Sequence, residues 1–290
     1  MTTHYHYTSV EGIRNILLNG TLRATDIRFL NDYREFDEGL KHVENRLIEL
    51  SNNFGRLGLS NREVDAVKKF YETLSIFLPL NARNRYSYVT SFTDKRDRLS
   101  QWMAYGKSNA SYCIGFKSDF FQFFKEKFRV EGQKELISDL SYNFKEVSYE
   151  GIEYVNSIIE SNDIFEAVNN AIMLNHTATQ LLAPLHKIYN ELMYAICSIK
   201  PKEFADESEF RLIFQTRKIG TMPNILQFYD RSGIVVPFID YAFDYKWIEE
   251  IIIGPNIQKD LARKGLETLL RAKGIDPDII KHTECTLRQY

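Results

Sequence analysis

Cysteine is scarce: Cys113, Cys197 and Cys285 are the three in 290 residues, and no two form a Cys-x-x-Cys pair. That excludes a disulfide framework and a paired-cysteine metal site, and it suggests a reducing compartment. Long hydrophobic runs are missing too. No stretch approaches the roughly 18 apolar residues of a membrane span, and the segment Met1 to Tyr7 lacks the basic-then-apolar order of a secretory signal. The expectation is a cytoplasmic protein without a membrane partner. Nor is there an excess of one charge, since 37 Lys plus Arg against 39 Asp plus Glu leave a net charge of -2. A global polycation that holds nucleic acid non-specifically is therefore excluded, and any such contact must be local. None of the 14 glycines forms G-x-G-x-x-G or G-x-x-x-x-G-K-[ST], and neither H-E-x-x-H nor G-x-S-x-G occurs. Rossmann and P-loop nucleotide sites, the commonest zinc hydrolases and the serine hydrolases lose their support.

What is present is an ordinary globular composition, 44% hydrophobic and 26% charged, with an unusual aromatic share of 13% carried by 17 Tyr and 20 Phe. Such a surplus suits both a large core and a stacking site. His4 to Thr8 reads as a strand that reaches Ser9, a helix N-cap. Val10, Ile13, Ile16 and Leu17 then share one helical face before Gly20. Thr21–Phe29 alternates as a second strand, and Asn31-Asp32 turns into a helix marked by Phe36, Leu40, Val43, Leu47 and Leu50. A helix is expected over roughly 62–78, stopped by Pro79. Strands are expected at Tyr86–Phe92 and Ser111–Phe116, with a helical turn at Leu99–Tyr105 between them. A Phe-rich helix near Phe120–Phe128 and a strand near Phe144–Glu150 follow. Residues 151–199 hold helical periodicity, broken at Pro184, and read as a helical insertion. Strands resume at Glu209–Thr216, Gly233–Ile239 and Trp247–Ile253, then a helix at Gln258–Lys273 and a strand near Ile279–Cys285. With no repeat and no linker, the whole of 1–290 reads as one α+β domain.

Four polar constellations stand out. His6-Tyr7-Thr8 ends a strand, where imidazole and hydroxyl can bond a ribose or an amide, or simply cap a half-buried strand. Ser91-Phe92-Thr93 leads through Asp97 to Trp102 and Tyr105, which share a helical face and offer either a stacking wall or core. Lys200-Pro201-Lys202 precedes Glu207-Ser208-Glu209-Phe210-Arg211. On a strand, Glu207, Glu209 and Arg211 would share one face, as a solvated edge or as a site in which a carboxylate stabilises a cationic centre. Asn31 and Asp32 with Glu35 form a helix cap or a polar wall of the same cleft. Six cations, Arg83, Arg85, Lys95, Arg96, Arg98 and Lys107, also interleave with Tyr86, Tyr88, Phe92, Trp102 and Tyr105, a pattern that holds single-stranded nucleic acid, diluted here by Asp94 and Asp97.

These groups in order, together with Cys113-Ile114-Gly115-Phe116 and Ile253-Gly254, resemble the bacterial family of the domain of unknown function numbered twenty-nine seventy-one. Members resemble components of phage-defence or toxin loci, so the resemblance implies a toxin or antiviral effector, with an antitoxin or other defence-locus protein as partner. A deeper resemblance is to the ADP-ribosyltransferase superfamily. It implies a mixed or antiparallel sheet core with a helical insertion, and NAD as the cofactor consumed. It places His6, Tyr105 and Glu209 in catalytic roles and His6, Tyr7, Thr8, Trp102 and Arg211 around NAD. Cleaving the nicotinamide–ribose bond builds positive charge on the ribose, which a carboxylate from Glu207 or Glu209 would stabilise.

The leading expectation is thus an ADP-ribosyltransferase that modifies a macromolecular acceptor, RNA or DNA ahead of protein, with Asn31, Asp32, Glu35, Arg96, Arg98 and Glu207 toward that acceptor. No metal belongs to that reading. The alternatives are a nuclease in which Asp32, Glu35, Glu207 and Glu209 bind Mg²⁺ and Lys202 steadies a phosphate, and a non-catalytic sensor or antitoxin-like protein that docks a partner through its late strand and the helical insertion at 151–199.

Overall fold

The computed structural model describes residues 2–30, 34–53, 61–105, 111–121, 140–161, 178–216, 226–255 and 258–286. The chain starts as its punctuation dictates. Strand β1 (His4–Ser9) passes into α1 (Val10–Asn19), whose first turn is capped by the Ser9 hydroxyl accepting from Gly12 N–H at 3.1 Å. Gly20 ends it at φ 65, a left-handed conformation that costs a glycine little. Then come β2 (Thr21–Asp26), α2 (Glu35–Asn53), α3 (Asn61–Asn84), β3 (Tyr86–Thr93), α4 (Leu99–Tyr105), β4 (Ser111–Phe116) and β5 (Ser141–Glu146). The second half adds α5 (Gly151–Ser161), α6 (Ala178–Ile196), β6 (Glu209–Thr216), β7 (Leu226–Arg231), β8 (Ile234–Ala242), β9 (Ile248–Ile253), α7 (Lys259–Ala272) and β10 (Ile280–His282).

The fold is mixed α+β, and its ten strands join in one sheet that is antiparallel except where β10 runs parallel to β9. The sheet forks at β3. One edge of β3 is paired along its whole length with β6, from Tyr86↔Thr216 to Thr93↔Glu209, and β6 carries β5 on its far side. The other edge is shared: β2 pairs at Tyr88 and Val89, whereas β1 pairs only at Thr93. Beyond those contacts β1 leaves with β4, β9 and β10, and β2 leaves with β8 and β7. Ladder partners are lost in the fork, and side chains replace them. His6 Nδ1 lies 2.9 Å from the Ser91 carbonyl oxygen, and the Thr90 hydroxyl donates to the Arg23 carbonyl at 2.8 Å.

Helices cover both faces. Helices α2, α3, α5 and α6 pack Leu40, Val43, Leu47, Leu78, Val155, Leu192 and Met193 over Val89 and Ile213. On the opposite face α1 and α7 bury Leu17, Leu266 and Leu270 over Tyr88, Phe92, Leu212 and Phe214. The helical insertion expected at 151–199 is therefore half of a layer shared with α2 and α3.

Three expectations need correction. Helix α3 does not stop at Pro79 but runs to Asn84, because Leu74 and Leu78 before the proline and Ala82 after it form one buried stripe. Burying that stripe outweighs the single hydrogen bond a proline cannot donate. Likewise α6 continues through Pro184, whose fixed φ is a helical one. Strand β5 lies earlier than Phe144–Glu150, since its register is set by β6 from Ser141↔Gln215 to Glu146↔Phe210. Strand β7 was not expected at all. Half of its residues are exposed and the partly buried ones do not alternate, and it forms through a turn at Ser232 (φ 54) and Gly233 (φ 79). The Phe-rich helix beyond Phe121 lies outside the described residues, as do Asn31, Asp32 and Lys107.

Candidate functional site

Alternation along β6 sends Phe210, Leu212 and Phe214 to the α1/α7 side and Glu209, Arg211 and Ile213 toward the helical layer. Arg211 is 1% exposed and carries a full set of partners. Its Nε donates to Glu209 Oε1 at 2.8 Å, Nη2 to Glu209 Oε2 at 3.0 Å and to Glu35 Oε2 at 2.6 Å, and Nη1 to the Cys197 carbonyl at 2.9 Å. Lys200 completes the cluster. Its Nζ lies 3.3 Å from Glu35, 2.7 Å from Glu207 and 3.2 Å from Glu209. Three carboxylates against two cations leave one formal negative charge, which is affordable in a buried place only because nearly every oxygen is bonded.

Burial by itself would raise the Glu209 carboxyl, but Arg211 and then Lys200 outweigh it and hold it at about 2. Glu207 behaves oppositely: burial raises its carboxyl above the ordinary range despite Lys200. The Glu207 side chain is also the accessible one, at 20% against 5% for Glu209 and 3% for Glu35. The expected shared strand face for Glu207, Glu209 and Arg211 needs adjusting, because Glu207 closes a 3₁₀ turn (Lys202–Glu207) and Ser208 at φ 42 separates it from β6. The three still meet, through Lys200.

Tyr105 stands at the end of α4 beside this cluster. Burial, followed by the charges of Glu209 and Glu207, pushes its hydroxyl pKa up, so it stays a donor. Helix α4 is tied to the carboxylate loop by the Ser100 hydroxyl donating to Asp206 Oδ2 at 3.0 Å, and the Thr93 hydroxyl donates to the Glu207 carbonyl at 2.7 Å. Sequence reasoning missed Tyr149, whose hydroxyl accepts from Glu209 N–H at 2.9 Å. It gave Ser91 no role, although the Ser91 side chain is among the groups that lower the Glu209 carboxyl. Lys200 was visible in the Lys-Pro-Lys run but was assigned nothing, because only the fold turns it inward.

The other expected site residues separate. His6 packs its ring on Phe92, and His4 on Phe210, so the histidine face of β1 is the face opposite Glu209. His6 nevertheless reaches the same place through the fork, on the carbonyl of Ser91. Desolvation lowers its pKa, the Ser91 carbonyl opposing, which keeps the imidazole neutral near pH 7. Thr8 is half-buried beside α1, its Oγ1 lying where a side chain on Gly12 would stand. Trp102 does not form the expected stacking wall with Tyr105, because it packs on Tyr7 instead. Tyr7 and Trp102 are both buried and meet edge to face at 4.6 Å, with Trp102 Nε1 bonded to Asp97 at 2.8 Å. Glu35, expected toward the acceptor, is enclosed by Arg211 and Lys200. Arg96 forms a two-point pair with Glu250 at 2.8 and 2.9 Å, and Arg98 is exposed.

The interleaved basic and aromatic pattern is not one surface. Arg85, Tyr88, Phe92 and Trp102 are buried, Lys95 pairs with Asp94 at 3.1 Å, and Arg96 is paired as above. Few of those rings are left to stack on a base.

A family described as "Protein of unknown function (DUF2971)" matches residues 101–212. The chain is similar to that family over a segment holding Tyr105, Tyr149, Lys200, Glu207, Glu209 and Arg211, which is most of the cluster. No curated protein and no solved structure matches the chain. Among the described residues no group of three or more His, Cys, Asp or Glu side chains is arranged to hold a metal ion, and no helix is long and apolar enough to cross a membrane.

Proposed function

We propose that the chain is an NAD-consuming ADP-ribosyltransferase with a macromolecular acceptor, acting as a toxin or defence effector. One observation carries the reading: His6 and Glu209, the histidine and late glutamate of the resemblance, approach the same residue from the two sides of the fork. Ser91 offers its carbonyl to His6, and its side chain is among the groups that lower the Glu209 carboxyl. A sheet that opens at β3 gives an extended dinucleotide a place to lie across strand ends, with a carboxylate below the scissile bond.

The enclosed state of Glu209 changes the division of labour. With both oxygens bonded and its charge matched by Arg211, Glu209 anchors the loop, and Glu207 is the carboxylate we assign to the developing charge on the ribose. Tyr105, held as a donor, faces the nicotinamide amide. The rival metal-dependent nuclease finds less support, because Lys200 Nζ already occupies the point on which Glu35, Glu207 and Glu209 converge.

The test is incubation with NAD labelled on the adenylate, with RNA, single-stranded DNA, duplex DNA and cell lysate as separate acceptors, EDTA in parallel, and Glu207→Gln and Glu209→Gln as controls checked for folding by circular dichroism. EDTA-resistant transfer that falls about a hundredfold in Glu207→Gln supports the reading. No transfer and no nicotinamide release sinks it, and nucleic-acid cleavage stopped by EDTA promotes the nuclease.

A further inference from the structure

Asp97 holds φ at 51, a left-handed conformation uncommon outside glycine, and it is also a hub of donors. Its carboxylate accepts from Trp102 Nε1 at 2.8 Å, from Glu284 N–H at 2.7 Å and from the Thr283 hydroxyl, and its carbonyl oxygen accepts from Cys285 Sγ at 3.3 Å. The same turn is gripped from β1. The Tyr7 hydroxyl donates to the Lys95 carbonyl and accepts from Arg98 N–H, each at 3.0 Å. Thr283 is itself fixed, buried with its N–H on the Ile253 carbonyl at 2.9 Å. Two segments distant in sequence therefore converge on the residue that launches α4, two positions before its first residue.

Helix α4 has seven residues. A helix this short does not hold its direction by its own hydrogen bonds and takes it from its ends. Its start is set by Asp97, its middle by Trp102 on Tyr7, and its end delivers Tyr105 to Glu207 and Glu209. We infer that Asp97 is a positioning residue, and that Thr283–Cys285, the segment after β10, is a latch that sets the orientation of α4 and so of Tyr105. The coupling rests on geometry alone, and only its consequence for turnover rests on the transferase reading. Asp97 touches none of the carboxylates, so its action passes through the helix.

Three variants in the full chain test this: Asp97→Asn, which keeps the side-chain shape, Asp97→Gly, which suits the left-handed backbone, and Thr283→Val, which removes one hydroxyl from the far end. The first readout is the indole N–H signal of Trp102, one of two tryptophans, by nitrogen-labelled NMR. The second is maleimide labelling of Cys285, since Cys113 and Cys197 are buried. The third is NAD turnover relative to wild type. The latch predicts a displaced Trp102 signal in all three variants, including Thr283→Val. It also predicts labelling about tenfold faster as the segment opens locally, and turnover about ten- to hundredfold lower with KM little changed. An unmoved Trp102 signal and unchanged labelling in Thr283→Val and Asp97→Asn overturn the latch. Moved signals with wild-type turnover overturn the positioning role. A wild type that turns over no NAD sinks the transferase reading instead, and the coupling is then decided by the indole signal and the thiol rate.

Discussion

Arg211 Nη2 stands 2.6 Å from Glu35 Oε2 across 176 positions of sequence, joining the first turn of α2 to the middle of the sheet at a point closed to solvent. This contact ties the helical layer to β6, and Glu209 and Lys200 share it. The site and the interface between layers are the same set of atoms, so stability and chemistry here are linked.

Removing the guanidinium should therefore cost more than its own contacts. Arg211→Met leaves Glu35 and Glu209 buried beside a single ammonium, and a buried pair broken on one side costs about 3–5 kcal/mol. Urea denaturation should show that loss, with part of it recovered in Arg211→Met/Glu35→Gln, where one orphaned charge is removed. A loss under about 1 kcal/mol would mean that water reaches the cluster.

The cluster also fixes a pH response. Glu209 in the folded chain sits at about 2 against an ordinary 4.5, so its contribution is full above the ordinary value and lost as pH falls toward the folded one. Glu207 has the opposite sign: its raised carboxyl takes up a proton in the folded chain first, which favours folding on mild acidification. Urea midpoints should already fall below about pH 6.5, where the unfolded chain protonates His6 and the folded chain resists it, and decline further from roughly pH 4.5 toward pH 2, with that lower decline shallower in Glu209→Gln. An equal slope in that variant would remove Glu209 from the account.

Gly39 offers a case in which local propensity and packing disagree. Alanine is better than glycine in a helix by about 1 kcal/mol, and Gly39 lies inside α2. A Cβ there would stand 2.4 Å from the Ile196 carbonyl oxygen and 3.2 Å from its carbon, main-chain atoms at the end of α6 that cannot rotate away. Gly39→Ala is expected to destabilise by about 1–3 kcal/mol. A stabilised variant would show that α6 can shift away from α2.

Gly39 also shows where legibility in the sequence ends. The β1–α1 unit could be read residue by residue because Ser9 and Gly20 act on their immediate neighbours, and α4, β4 and β6 were likewise marked by local pattern. Pro79 misled because the packing that overrides it is tertiary, and Pro184 because its fixed φ already suits a helix. Strand β7 was silent because half of its side chains are exposed and the partly buried ones, Leu226, Tyr229 and Arg231, follow no two-residue period. At the site, alternation along β6 placed Glu209 with Arg211, but nothing local says that Lys200 turns inward, that Tyr149 reaches Glu209 N–H, or that Glu35 crosses to Arg211. The forking of β3 is invisible in the sequence, and it is what puts His6 and Glu209 on opposite sides of Ser91.

Lys200 provides the sharpest separation of the two enzymatic readings. Its ammonium stands at the centre of Glu35, Glu207 and Glu209, where hard oxygens would otherwise suit a divalent cation. If the lysine is the cluster's resident charge, adding Mg²⁺ or Mn²⁺ should leave the melting temperature of the wild-type chain unchanged. Lys200→Ala removes that charge, adds carboxylate repulsion and lowers stability, and it opens a place for the ion. The variant should then be stabilised by added cation, by about 1.4 kcal/mol at ten times the dissociation constant, while the wild type is not. A wild type that gains stability from the cation would show that the ion and the lysine coexist, and would return the carboxylates to the nuclease.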